Sequence, residues 1–151
     1  MIGLLQRVSN ARVDVDGECV GRIGRGLAVL VGVERGDGPE QVDRLLERLL
    51  GYRVFPDAEG RMNLSLAQTG GGLLLVPQFT LAANTRKGMR AGFSTAASPE
   101  EGEYLFDQLV ATARMQHPTV QTGRFGAHMQ VSLVNDGPVT FWLRADPPGT
   151  A

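Results

Sequence analysis

The sequence predicts a single α+β domain in which two main helices pack on one β-sheet, and three observations carry that prediction. With 151 residues, 42% of them hydrophobic, the chain is long enough to bury one core and short for two. Residues 2–33 alternate short apolar runs with turn residues, the pattern of successive strands. Two later stretches repeat apolar side chains at helical spacing and are separated by strand and loop signals.

In order along the chain, IGLLQRV, ARVDVDG, ECVGRIG and LAVLVGV predict a strand meander, with Asp16-Gly17 placed as a two-residue hairpin turn. GDGPEQVDRLLERLLG predicts a helix of about three turns. Pro39 suits its first turn, Gly51 suits the C′ position, and Val42, Leu45, Leu46, Leu49 and Leu50 share a face. The stretch YRVFPDAEGRMNLSLAQTGGG, broken by Pro56, Gly60 and a run of glycines, predicts mostly connecting loop with a short strand from Tyr52 to Phe55.

LLLVPQFTL predicts a buried strand. Pro77 cannot donate to a ladder, so it marks the strand's end, an edge or a bulge. After the polar loop AANTRKGMRAGFSTAA, the capping-box pattern Ser98-Pro99-Glu100-Glu101 opens a second helix running to about Gln116. Its apolar face is Leu105, Phe106, Leu109, Val110 and Ala113, and Pro118 stops it. HMQVSLVNDGPVTFWLRA predicts two strands joined at Asn135-Asp136-Gly137-Pro138. The domain is expected to span 1–145, and DPPGTA, residues 146–151, a short mobile tail.

Composition excludes several classes of function. Fifteen basic against 16 acidic residues leave a net charge of −1, so a polyanionic partner would need a local basic patch. A single cysteine rules out an internal disulfide framework, and no Cys/His cluster has zinc-ligand spacing, so neither metal nor cofactor is expected. The N-terminal stretch has no signal-peptide pattern and no run approaches a membrane span, so the expected setting is cytoplasmic with no membrane partner. Nucleophile-elbow, P-loop, Rossmann and metal-binding His-pair signatures are all missing.

Of the two histidines, His117 sits at a helix end, where a capping cation is ordinary, and neither it nor His128 is singled out for catalysis. Cys19 is expected to be a buried or half-buried structural thiol. Two constellations remain. Pro77-Gln78-Phe79-Thr80-Leu81 closes an apolar strand, and strand alternation puts Gln78 and Thr80 on one face. Asn135-Asp136-Gly137-Pro138-Val139-Thr140 is built from residues that turns select, so an ordinary turn accounts for it equally well. The densest basic cluster, Arg86, Lys87 and Arg90, follows Thr80 closely, and phosphate contacts with RNA and an ordinary solvated loop account for it equally well.

Together these segments resemble the paired signature of the D-aminoacyl-tRNA deacylases, Ser-Gln-x-Thr-Leu with Asn-x-Gly-Pro-x-Thr. The resemblance extends over LLQRVSNARVDVDG, QFTLAANTRKGMRAGFSTAASPE and QTGRFGAHMQVSLVNDGPVTFWL. It implies a mainly antiparallel or mixed, barrel-like sheet and a homodimer acting on the acceptor end of D-aminoacyl-tRNA, without DNA. Each subunit would insert its Gly137-Pro138 turn, held cis, into the partner's pocket. There the turn carbonyls would hold the substrate's α-amino group and exclude an L side chain. Glycine, lacking a side chain, would pass, so glycyl-tRNA mischarged on tRNA(Ala) is a further expected substrate.

The resemblance also implies roles for single residues. Backbone N–H groups around Phe79 and Thr80 would stabilise the oxyanion, with Gln78 shaping the pocket. Thr80 is either a nucleophile or a bystander to assistance from the substrate's 2′-hydroxyl. Phe125 would contact the terminal adenine, Met129 would line the same region, and Arg7 would brace the Gly-Pro turn. Pro77 departs from the family's serine and resembles a related group of deacylases with Pro-Gln-Ala-Thr-Leu, which edit other mischarged tRNAs. Phe79 and the Asn-Asp-Gly-Pro-Val-Thr form match the D-specific branch.

Overall fold

The computed structural model describes residues 1–147. Strand β1 (Ile2–Val15) turns at Asp16-Gly17 into β2 (Glu18–Ile23), and β3 (Gly26–Gly32) follows. Asp16 and Gly17 have φ of 51° and 81°, the positive values that a type I′ hairpin turn requires. Apolar runs expected to be separate strands fuse in β1, because β3 pairs its first half from Ile2 to Val8 and β2 its second half from Ala11 to Val15. Continuous antiparallel pairing carries the chain across Ser9-Asn10 without a turn.

Helix α1 (Pro39–Gly51) has proline in its first turn and buries Val42, Leu45, Leu46, Leu49 and Leu50. Gly51 is its last helical residue, so Tyr52 and not Gly51 ends it, with extended backbone at φ −69° and ψ 132°. The strand expected at Tyr52–Phe55 lies slightly later, as the small ribbon of β4 (Phe55–Pro56) and β5 (Met62–Leu64). The rest of that stretch is not all loop. Helix α2 (Leu66–Thr69) forms there because the Ser65 hydroxyl accepts from Gln68 N–H at 3.2 Å while Ser65 N–H donates to the Gln68 side chain at 2.8 Å.

β6 (Gly72–Pro77) is buried at every position. Its reading as a continuous apolar run follows from its place between two parallel neighbours, β3 and β7 (Val120–Thr122). Leu73 and Leu75 face the helices, and Leu74 and Val76 face a second apolar cluster with Val8, Val13 and Ile23. Helix α3 (Pro99–Gln116) begins where Ser98 Oγ accepts Glu101 N–H at 3.2 Å and packs Leu105, Phe106, Leu109, Val110 and Ala113 into the first cluster. Each such leucine contributes about 1.5–3 kcal/mol by leaving water.

The hydrogen-bonded order is β2-β1-β3-β6-β7, and β8 (Gln130–Arg144) pairs along β1. The far ends approach each other: a Cβ on Gly21 of β2 would stand 2.4 Å from the Thr122 carbonyl of β7. The result is a single α+β domain with a mixed, nearly closed sheet. One expectation fails instructively at β8. Its two halves are not a hairpin, because both pair antiparallel with β1, Val8 opposite Asn135 and Gln6 opposite Thr140. Two steps along β1 therefore match five along β8, and the surplus bulges out at Asp136–Val139.

At the chain ends, the Met1 ammonium donates to Asp37 Oδ1 and to the Ala145 carbonyl, both at 2.8 Å. The expected tail lies mainly in 148–151, outside the described residues, and Asp146 is held by Arg144 at 2.8 Å.

Candidate functional site

Three local events place the segment after β6. Pro77, without an N–H, ends the ladder. Gln78 N–H then donates to the Val31 carbonyl at 2.8 Å, tying the chain to β3. A 3-10 turn, Phe79–Ala82, folds back over Gly32, where a Cβ would meet that of Leu81 at 2.9 Å. The first N–H groups of such a turn, those of Phe79 and Thr80, have no acceptor within it. The Gln78 side-chain amide donates to the Thr80 hydroxyl, and the exposed Phe79 ring packs on Phe93 with centroids 5.2 Å apart.

Beside this turn opens a cavity of about 450 Å³, lined by Gln78, Phe79, Phe106, Phe125, His128 and Met129 together with aliphatic side chains and the start of α3. Its walls are mostly apolar, and His128 is its only ionisable lining residue among the described residues. Phe125 projects from a turn in which Ala127 N–H donates to the Arg124 carbonyl at 3.2 Å and Gly126 takes φ 77°. Gly123 lets that loop close on Met129, since a Cβ there would lie 2.8 Å from Met129 Sδ.

The bulge in β8 is a second, separate construction. Its Gly137-Pro138 bond is cis, and both residues are exposed. Asn135 closes the base: its Oδ1 accepts Val139 N–H at 2.7 Å, and its Nδ2 donates to Thr140 Oγ1 at 3.0 Å. Arg7 reaches the same bulge, donating from Nε to the Asp136 carbonyl at 2.8 Å and from Nη1 to the Val54 carbonyl at 2.7 Å.

Within one chain the expected site residues therefore form three groups. Gln78, Phe79, Phe125 and Met129 share the cavity, with Thr80 beside it but not lining it. Gly137, Pro138 and Arg7 meet at the bulge and line no wall of their own chain's cavity. Arg86, Lys87 and Arg90 lie in an exposed loop pinned at its base by two bonds between Asn84 and Gly92, of 2.7 and 2.9 Å. Sequence reasoning named His128 and Asn135 but gave neither a role of its own. Their signals were the position of His128 next to Met129 and the spacing of Asn135 from Val139, four residues on.

Two side expectations change. Cys19 is exposed rather than buried or half-buried, because β2 is the end strand of the hydrogen-bonded order. His117 does occupy the helix end, but its buried ring lies with Nε2 2.6 Å from the Gly71 carbonyl, fastening α3 to the turn before β6. The described residues contain no group of three or more potential metal ligands and no helix long and apolar enough to cross a membrane.

A nearly closed mixed sheet with helices on one face, a cavity at the end of its central strand and a bulged edge strand defines a recognisable class of architecture. A solved structure titled c-Myc DNA Unwinding Element Binding Protein superimposes with a TM-score of 0.93 at 34% identity, covering 97% of this chain and 100% of that one. Another, titled as a probable eukaryotic D-amino acid tRNA deacylase, shares the fold with a TM-score of 0.79 at 20% identity over 95% of this chain and 98% of that one. Sequence is more specific. A protein of Thioalkalivibrio sulfidiphilus named D-aminoacyl-tRNA deacylase is 68% identical over 98% of this chain and 99% of its own length. One of Alkalilimnicola ehrlichii with the same name is 67% identical over 97% and 98%. The family described as D-Tyr-tRNA(Tyr) deacylase matches residues 4–144, and the chain belongs to that family.

Proposed function

We propose that this protein hydrolyses the ester joining a D-amino acid to the terminal ribose of tRNA, as a homodimer in the cytoplasm, sparing the L-esters. The observation that carries this reading is the division of the site. The cavity holds Gln78, Phe79, Phe125 and Met129, while Gly137-Pro138 stands exposed on a bulge that does not line that cavity. A second copy supplies what each chain lacks. Among the described residues β8, 15 residues long, pairs only with β1 and leaves its other edge open, with Val134 and Trp142 more than half exposed, at 53% and 54%. Such an edge calls for cover.

In the assembled site the carbonyls of the Gly137-Pro138 turn would accept the substrate ammonium and leave no room for an L side chain. Selection by exclusion accepts many D-residues and passes glycine, so glycyl-tRNA(Ala) is included as a substrate. Phe125 and Met129 would hold the terminal adenine and Arg86, Lys87 and Arg90 the RNA backbone. The aminoacyl ester is already activated. The protein's tasks are orientation and oxyanion stabilisation by the Phe79 and Thr80 N–H groups, with the neighbouring 2′-hydroxyl assisting. The Gln78 side-chain amide donates to the Thr80 hydroxyl, which supports the 2′-hydroxyl rather than Thr80 as the assisting group.

The test compares hydrolysis of D-tyrosyl-, L-tyrosyl-, glycyl- and L-alanyl-tRNA by the purified protein, with its mass in solution measured alongside. Loss of the D-ester and the glycyl ester alone, by a dimer, is the expected result. Cleavage of L-alanyl-tRNA instead would place the chain with the related deacylases that share Pro77-Gln78.

A further inference from the structure

Arg124 immediately precedes Phe125 and His128 immediately precedes Met129, yet neither has a part in the proposed chemistry. Both are exposed, and neither side chain has a hydrogen-bond or ion-pair partner among the described residues. Arg7, Arg12 and Arg144, by contrast, are each committed to protein acceptors. Free donors on a mobile loop would mean little, but this loop is fastened at each end. Gly123 N–H donates to the Leu75 carbonyl of β6 at 2.9 Å, and Arg124 N–H points at Met129 Sδ at 3.3 Å, which draws the two ends together.

His128 is the one ionisable residue in the cavity lining, while Glu100, Glu101 and Glu103 are exposed on the first turns of α3 and none of them lines it. A nucleotide whose base rests against Phe125 and Met129 carries its phosphate within reach of the residues next to them. A guanidinium and an imidazole without protein partners are the donors that phosphate recruits.

We propose that Arg124 and His128 form a phosphate-binding pair for the 3′-terminal nucleotides of the RNA, distinct from the Arg86–Arg90 loop. This rests on the reading of aminoacyl-tRNA as substrate. One short, fastened loop then both receives the last base and grips the chain leading to it, so placement of the ester beside Phe79 and Thr80 is set by a single rigid element.

The experiment measures kcat and KM of Arg124→Ala, Arg124→Lys and His128→Gln on D-tyrosyl-tRNA and on 3′-O-D-tyrosyl-adenosine, which has no phosphate, over a range of salt. Arg44→Ala, on the outer face of α1, controls for loss of one charge. The proposal expects Arg124→Ala to raise KM for tRNA about tenfold at low salt. It also expects a reduction of about 0.7 in the slope of log(kcat/KM) against log salt, with His128→Gln moving both less and Arg124→Lys restoring the slope. The preference for tRNA over the nucleoside ester should shrink by the same factor. Equal losses on both substrates, a fall in kcat at constant KM, or variants that behave like Arg44→Ala would overturn it. A wild-type protein inert toward both substrates removes the substrate reading itself, before any variant is compared.

Discussion

Arg7 and Asp136 stand 129 positions apart in sequence and 2.8 Å apart in the fold, joined by a hydrogen bond from the guanidinium Nε to the main-chain carbonyl. The same side chain donates to the Val54 carbonyl at 2.7 Å, so one planar group spans from the chain after α1 to the β8 bulge. Its Coulombic link to the Asp136 carboxylate is looser, at 3.8 Å with half of that side chain exposed, and adds little.

Arg7→Ala removes both main-chain bonds. Charged donors of this kind are worth about 1.5–3 kcal/mol when buried and less here, so unfolding free energy should fall by about 1–2 kcal/mol. Hydrolysis of D-aminoacyl-tRNA should fall at least tenfold through loss of bulge placement. Arg7→Lys, with a point charge in place of a fork, should recover only part. Steady-state kinetics beside a denaturant titration would check this, and unchanged kcat/KM with lowered stability would restrict Arg7 to a structural role.

Asn135 closes the bulge from inside, accepting from Val139 and donating to Thr140. Asn135→Asp keeps the acceptor for Val139 N–H at 2.7 Å but loses the donor. Amide exchange at Val139 should therefore be faster in Asn135→Ala than in Asn135→Asp, and activity should fall in the same order. Exchange unaltered by either change would show that β1 pairing alone holds the bulge.

Gly32 is a packing requirement rather than a conformational one. A methyl there would meet Leu81 Cβ at 2.9 Å and both the Ala82 nitrogen and the Gln78 carbonyl at 3.4 Å. Gly32→Ala should cost about 1–3 kcal/mol, as overpacking does, and should lower kcat by shifting the turn that carries Phe79 and Thr80. Gly24→Ala, where a Cβ would meet nothing within 4 Å, is the matched control and should leave both unchanged.

The Asp57 carboxylate accepts N–H groups of Arg61 at 3.0 Å and Glu59 at 2.9 Å, which hold its pKa below the ordinary carboxylate value, Arg61 contributing most. A carboxylate with a depressed folded pKa adds stability above its unfolded pKa and loses it as pH falls through the folded value. Wild type should thus exceed Asp57→Ala in stability near neutrality, and the gap should close in acid. Denaturant midpoints at a series of pH values would show it, and a gap independent of pH would remove the charged form from the account.

Helices α1 and α3, the Asp16-Gly17 turn and the end of β6 at Pro77 were legible in the sequence. Each depends on interactions within a few residues: apolar spacing, a Ser98 cap, positive φ, a missing N–H. The two motif segments were legible as a site only through their resemblance to the D-aminoacyl-tRNA deacylases. Pairing across the chain was not. That β8 is one bulged strand follows from its register on β1, and the contact of Arg7 with Asp136 follows from that register in turn. The cavity joins Gln78 and Phe79 to a loop some 45 residues later because parallel pairing sets β7 beside β6. Alternation and capping name the elements. Only long-range backbone pairing, whose partners no short window of sequence contains, decides which side chains meet.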